Sequence, residues 1–168
     1  MDVRALREAD AAAWLALRLE GLESEPNAFG MTAAAQREIS VAAIAARFRD
    51  MPAGDATLGA FIGDELVGIA TFRREAGEKD QHKGRIYGVY VAVAHRRAGI
   101  GRALLSALIA GARQHAAVEQ ILLAVTTTQT AARELYRALG FTTFGTEPRA
   151  LKDGATYLDE DHMILFLR

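Results

Sequence analysis

Val91-Ala92-Val93-Ala94-His95-Arg96-Arg97-Ala98-Gly99-Ile100-Gly101-Arg102-Ala103-Leu104-Leu105 decides the fold. An apolar strand runs into a basic, glycine-containing turn, and a helical pattern follows. A helix start exposes backbone N–H groups without intrahelical acceptors, at the positive end of the helix dipole. Gly99 and Gly101 let that backbone approach a ligand closely, and Arg96, Arg97 and Arg102 add charge beside it. Together these features form a site for a phosphate or pyrophosphate. No G-x-x-x-x-G-K-[ST] run exists, which removes the P-loop. A dinucleotide fingerprint, G-x-G-x-x-G, is incomplete. Leu104 stands where the third glycine belongs, and no carboxylate closes the next strand, Ile121 to Val125. A nicotinamide-dinucleotide binder therefore remains only a rival.

Outward from this turn, helices and strands can be placed by period. Toward the N-terminus, residues 85–93 predict a strand rich in Val, Ile and Tyr, with Gly88 marking a bulge or close backbone approach. Residues 57–62 and 66–72 predict two strands joined by Gly63-Asp64, a hairpin signal. The charged stretch 73–83 reads as an exposed hairpin tip. Apolar spacing predicts a helix over 11–23 and another over 37–49, the latter with Ser40 as a cap. Residues 1–6 suit a short strand. Toward the C-terminus, a helix is expected over 99–115, a strand over 120–125, and a helix over 130–139 that Gly140 ends. Residues 141–146 and 162–167 supply the last strands, around a polar linker over 147–161. Helices fall where parallel crossovers require them. The expectation is a mixed α/β fold: a mostly antiparallel sheet of six to seven strands flanked by about four helices, in one domain over 1–168.

Composition narrows the function. The chain has 168 residues, 51% apolar and 24% charged, with a net charge of −1. A chain of this length buries roughly 70% of its unfolded surface and holds a core without staples. Near-neutral charge gives no basic face for nucleic acid. The absence of cysteine removes disulfides, thiolate metal sites and cysteine nucleophiles. His82, His95, His115 and His162 show no metal-ligand spacing, so no metal is expected. Without an apolar leader or a membrane-length apolar run, the expected location is the cytoplasm, away from membranes.

Arg96-Arg97-Ala98-Gly99-Ile100-Gly101 resembles the [Q/R]-x-x-G-x-[G/A] turn of the GCN5-related N-acetyltransferase (GNAT) family. Downstream, Gln129-Thr130-Ala131-Ala132-Arg133-Glu134-Leu135-Tyr136, followed by Leu139-Gly140-Phe141, is similar to the family's N-x-x-A-x-x-L-Y-x-x-x-G-F signature. The two motifs lie in the family's order with one strand between. One departure is Gln129, where the family usually has Asn; Gln keeps the amide and adds a methylene.

The resemblance implies an acetyl-CoA-dependent N-acetyltransferase working by direct transfer in a ternary complex. It implies a pantetheine arm pairing with the backbone at Val91 and Val93, like an added strand. Arg96, Arg97, Ala98, Gly99, Ile100, Gly101, Arg102 and Ala103 would wrap the pyrophosphate, with Gln129 a further cofactor contact. A backbone N–H between Tyr90 and Val93 would steady the developing oxyanion. Tyr136 takes the family's place of proton donor, although Ala132, Leu135, Tyr136 and Leu139 share a helical face that a core aromatic would also occupy. Against an unperturbed phenol near pKa 10, full transfer to a thiolate near 8.5 is uphill by about 2 kcal/mol. No carboxylate lies between Ile86 and Val93, so base candidates are Glu23, Glu25, Asp159, Glu160 and Asp161, or a water chain.

The family's acceptor pocket maps to 23–30 and 151–162, with Glu25, Phe29 and Glu160 as candidate substrate contacts. Acids there attract a cationic amine. The expected acceptor is a primary amine on a small molecule, with a peptide N-terminus or lysine as alternatives. A non-catalytic acyl-CoA sensor is the rival from another class. The family often dimerises, so a homodimer is the assembly the resemblance allows.

Overall fold

The computed structural model describes residues 1–168. Seven strands, β1 (Asp2–Ala5), β2 (Ala56–Ile62), β3 (Glu65–Arg74), β4 (Lys83–Val91), β5 (Gln120–Thr126), β6 (Thr142–Asp153) and β7 (Thr156–Phe166), form one sheet in the order β1-β2-β3-β4-β5-β7-β6. Every pairing is antiparallel except β4 with β5. Five α-helices accompany it: α1 (Ala11–Ser24), α2 (Ala33–Arg37), α3 (Val41–Arg49), α4 (Ile100–Arg113) and α5 (Thr130–Ala138). The expected α/β class and mostly antiparallel sheet are what the structure shows. No helix is long and apolar enough to cross a membrane.

Two apolar layers sandwich the sheet. On one face α4 inserts Ile100, Leu104, Leu105, Leu108 and Ile109 against Val67, Phe72, Ile86 and Ile121, and this core continues to Tyr136 and Phe141. On the other, Leu17 of α1 meets Ile69, Tyr90 and Phe61, with Trp14, Phe29 and Phe48 at the margin. Gly21 makes the second layer possible. A Cβ there would stand 2.9 Å from the Tyr90 ring, so only glycine lets α1 lie this close to β4.

Two sequence expectations need correction. The helix expected over 37–49 begins only at Val41, where Ser40 caps α3 by accepting from Ala43 N (3.1 Å); before it lies a separate short helix, α2, capped by Thr32, which accepts from Ala35 N (3.1 Å), and ending at Arg37. The polar linker over 147–161 is mostly strand: β6 and β7 continue through it to a turn at Gly154 (φ +55°). Its outer half is exposed on both faces, which removes the alternation that marks a strand.

The bulge expected at Gly88 is present. Gly88 has φ +64°, and Ile69 to Thr71 on β3 spans Tyr90 to Tyr87 on β4, one residue more. Gly21→Val should drive a branched side chain into Tyr90 and lower stability by about 1–3 kcal/mol, read from a urea titration.

Candidate functional site

β4 and β5 pair only over Lys83, Gly84 and Arg85 with Gln120, Ile121 and Leu122. Beyond Arg85 they part. The gap is lined by Ile86 through Val91 on one side and Leu123, Ala124 and Val125 on the other, and it opens into a cavity of about 720 Å³.

At one end of that cavity lies the basic turn. Gly99 is the N-cap of α4 with φ +79°, a left-handed value glycine adopts without strain, and open space surrounds the position its Cβ would take. No side chain caps the helix. The N–H groups of its first turn, at Ile100, Gly101 and Arg102, thus lack intrahelical acceptors beside the cavity. Exposed Arg97 (φ +66°) and Arg102 flank them. These donors fit a pyrophosphate.

Arg96 lines the cavity and is also engaged by the protein itself. Its guanidinium pairs with Glu25 Oε1 (2.8 Å), donates through Nε to Val91 O (3.3 Å), and lies 5.6 Å over the Tyr90 ring. Gln129 joins from the far side, donating from Nε2 to Glu25 Oε2 over a long 3.5 Å. The arginine of the turn therefore holds the loop after α1, and the amide of the departing residue is turned to the same carboxylate. Val91, Arg96, Arg97, Gly99, Ile100, Gly101, Arg102 and Gln129 line the cavity. Val93, Ala98 and Ala103 do not. β4 ends at Val91, and Val93 opens a 3-10 turn (Val93–His95), its N–H donated to Glu20 Oε1 (3.3 Å). The N–H of Ala103 is spent on Gly99 O (3.0 Å). The N–H of Ala92 bonds Val67 O (2.9 Å), and Tyr90, two residues back and opposite Ile69, turns its N–H to β3 as well, so the oxyanion donor expected between Tyr90 and Val93 narrows to Val91.

Tyr136 sits on α5, edge-on to Phe141 at 6.0 Å, in the core and in the cavity wall at once. Burial pushes its hydroxyl up to about 12. The sequence left a choice between core aromatic and site residue; the position satisfies both descriptions.

The five acids separate clearly. Asp161 is buried, paired with Arg133 at 2.7 Å and bonded by Thr146 Oγ1 at 2.7 Å, contacts that hold its carboxyl below the usual range. Glu23 pairs with Arg37 at the surface. Asp159 accepts from Arg149 N (2.7 Å). Glu25 is engaged by Arg96 and Gln129. Glu160 alone of the five lines the cavity without a protein partner of its own, and burial raises its carboxyl. Its carboxylate lies within 4.8 Å of Glu147 and His162, which bond each other at 2.8 Å.

Several wall residues were not singled out from sequence. Arg18 and Tyr87 carry no motif. Tyr90 is anchored by Ser24 Oγ (3.0 Å) and donates to Glu20 Oε1 (2.9 Å), both on the α1 helix that Gly21 lets lie against its ring. Thr126 Oγ1 donates to Asn27 O (3.0 Å), tying the end of β5 to the loop that carries Phe29.

The sheet order, the parted strands and the uncapped helix together define an acyl-CoA-type transferase fold. Residues 19–141 match the Acetyltransferase (GNAT) family, and the chain belongs to it. Comparison with curated proteins gives no match. Among solved structures, a GNAT-family acetyltransferase from Streptococcus pneumoniae superposes with a TM-score of 0.90 at 20% identity, covering 99% of both chains. The Salmonella typhimurium yncA structure with its cofactor acetyl-CoA gives 0.86 at 24% identity, over 100% of this chain and 94% of that one. A ribosomal-protein-alanine N-acetyltransferase from Brucella melitensis gives 0.80 at 27% identity, over 99% of this chain and 100% of that one.

Asp161→Asn should weaken the contact between β7 and α5 and lower stability by about 1–2 kcal/mol at neutral pH. The wild-type contribution is full above the unfolded aspartate value and is lost as pH falls through the lower folded one. The two denaturation curves should therefore converge in acid.

Proposed function

We propose that the protein acts as a single domain that transfers an acetyl group from acetyl-CoA directly to a primary amine on a small molecule, both substrates bound together. The observation that carries this reading is the gap between β4 and β5. It joins the uncapped start of α4 to a cavity that holds a buried phenol and an unpaired carboxyl.

Acetyl-CoA supplies an acetyl thioester, a carbonyl activated for attack by an amine. The chain supplies the rest. N–H groups of Ile100 and Gly101 hold an anionic pyrophosphate, with Arg97 and Arg102 adding attraction. Unpaired backbone of β4 up to Val91 aligns an extended arm, as an added strand is aligned. Tyr136 keeps its proton at every working pH, because burial takes its hydroxyl to about 12. Yielding that proton fully to a thiolate near 8.5 would cost about 5 kcal/mol, so Tyr136 serves as a hydrogen-bond donor to the leaving sulfur rather than a complete acid. Glu160 takes the amine's proton. Its raised carboxyl is a stronger base than an ordinary glutamate, and His162 and Glu147 lie within 4.8 Å of it as further proton-carrying groups.

The acceptor approaches from the α1 side, past Phe29 and Glu25. A peptide N-terminus is the second acceptor class, supported by the Brucella relative, whose name carries an alanine acceptor.

Tyr136→Phe should lower kcat about a hundredfold while CoA and acetyl-CoA still raise the thermal midpoint and NAD does not. A hundredfold excess over Kd adds about 2.7 kcal/mol, a shift of a few degrees. Unchanged turnover would reduce Tyr136 to packing, and a shift with NAD alone would overturn the acetyl-CoA reading. For Glu160, kcat/KM in the wild type should rise with pH along an acidic limb lying above the ordinary glutamate range, as the base loses its proton. Glu160→Gln should abolish that limb and lower the plateau by about 10²-fold or more. A limb that survives the substitution would pass the base role to water.

A further inference from the structure

Arg18 projects from α1 into the cavity wall, its guanidinium 4.4 Å over the ring of Phe29, which in turn meets Tyr90 edge-on at 6.4 Å. Nη1 is fully buried and has no hydrogen-bond partner. Burial lowers the pKa of the group, with no acid acting against it, yet a guanidinium keeps its charge in proteins. The other half-buried arginines each face an acid, Arg4 with Asp10 (2.7 Å), Arg133 with Asp161 (2.7 Å) and Arg74 with Asp55 (3.8 Å), although Arg74 Nε also lacks a hydrogen bond; Arg18 alone of these has no counter-ion. Of the acids that line the same cavity, Glu25 is committed to Arg96 and Gln129, and Glu160 makes no ion pair with Arg18. A desolvated cation without a counter-ion is costly, and an anion entering the cavity relieves that cost.

The pyrophosphate does not serve. Its donors stand at the start of α4, on the sheet face that α4 and α5 cover, whereas Arg18, Phe29 and Tyr90 belong to the α1 face. The planar fork of a guanidinium suits a carboxylate in two-point contact. Glu160 lines the same cavity, so one added negative charge balanced by an ammonium is accommodated better than a phosphate dianion.

We infer that Arg18 binds a carboxylate on the acceptor, which makes the acceptor an amino-acid-type molecule: an amine and a carboxylate on one small frame. This rests on the acetyltransferase reading above. It also separates the two acceptor classes, because a peptide N-terminus carries an amide where a free amino acid carries its carboxylate.

The test compares matched pairs. Free α-amino acids, their α-amides and the corresponding decarboxylated amines are offered with acetyl-CoA. In parallel, the thermal midpoint is read with CoA plus N-acetyl amino acids or their amides. The wild-type protein should favour the acids about 10- to 100-fold in kcat/KM, mainly through KM, and be stabilised by the N-acetyl acids more than by the amides. Arg18→Gln should bring the ratio near one without changing the stabilisation by acetyl-CoA, and Arg18→Lys should restore part of it.

Amides or plain amines accepted as well as the acids by the wild type would overturn the inference and leave the acetyltransferase reading standing. A preference unchanged in Arg18→Gln would do the same, as would a stronger preference for aminoalkyl phosphates. Stabilisation by acetyl-CoA with no transfer to any amine would instead count against the enzyme. The midpoints with N-acetyl acids and amides would then decide the carboxylate site alone, equal shifts overturning it. If Arg18→Gln does not fold, the wild-type ratio and Arg18→Lys carry the decision.

Discussion

The site depends on the parting of β4 from β5. Two parallel strands that pair for three residues and then separate leave backbone N–H and C=O groups facing a gap, an expensive arrangement unless something else holds each strand in place. β4 is held by β3 along its length and by α1, whose Gly21 lets the helix settle on Tyr90. β5 is paired with β7 along its whole length and fastened by Thr126 to Asn27. With both walls anchored from outside, the gap persists, and the unpaired backbone becomes a binding surface.

Charge is organised around the same gap. One carboxylate, Glu25, gathers Arg96 from the basic turn and Gln129 from the start of α5, so the loop after α1, the turn and the helix share one node. Glu20 gathers Tyr90 and the N–H of Val93. These committed groups shape the walls, and the uncommitted ones — Arg97, Arg102, Glu160, Arg18 and the first-turn N–H groups — face the ligand space. The division between spent and unspent polar groups, more than any single motif residue, marks where chemistry can occur.

Much of the fold was legible because its signals are local. Strand, glycine turn and amphipathic helix follow one another at Val91 to Leu105, and Gly63-Asp64 and Gly140 punctuate where the chain turns. The missed pieces are those whose cause is not local. The outer halves of β6 and β7 are mostly exposed and polar, with Leu158 their one buried apolar residue, so the stretch reads as linker. α2 is five residues long, too short for a period to show. Among site residues, the glycine turn and Tyr136 were recognisable by position in a motif. Arg96's actual partner was not, because Glu25 is 71 residues away in sequence. Arg18 was invisible for a related reason: an arginine on an amphipathic helix is ordinarily a solvated charge, and only the fold shows that its end is buried.

The outermost strand has a consequence of its own. β6 is long, exposed and unpaired on one side, the kind of edge onto which a stray strand from another molecule can zip and start an open-ended fibre. It is broken in register between Thr143 and Gly145 and again between Glu147 and Leu151, where Arg149 takes φ +56°, and Pro148 has no N–H to offer. An incoming strand would find a few good rungs and then a kink. The irregular edge thus works against open-ended strand addition at this side of the sheet.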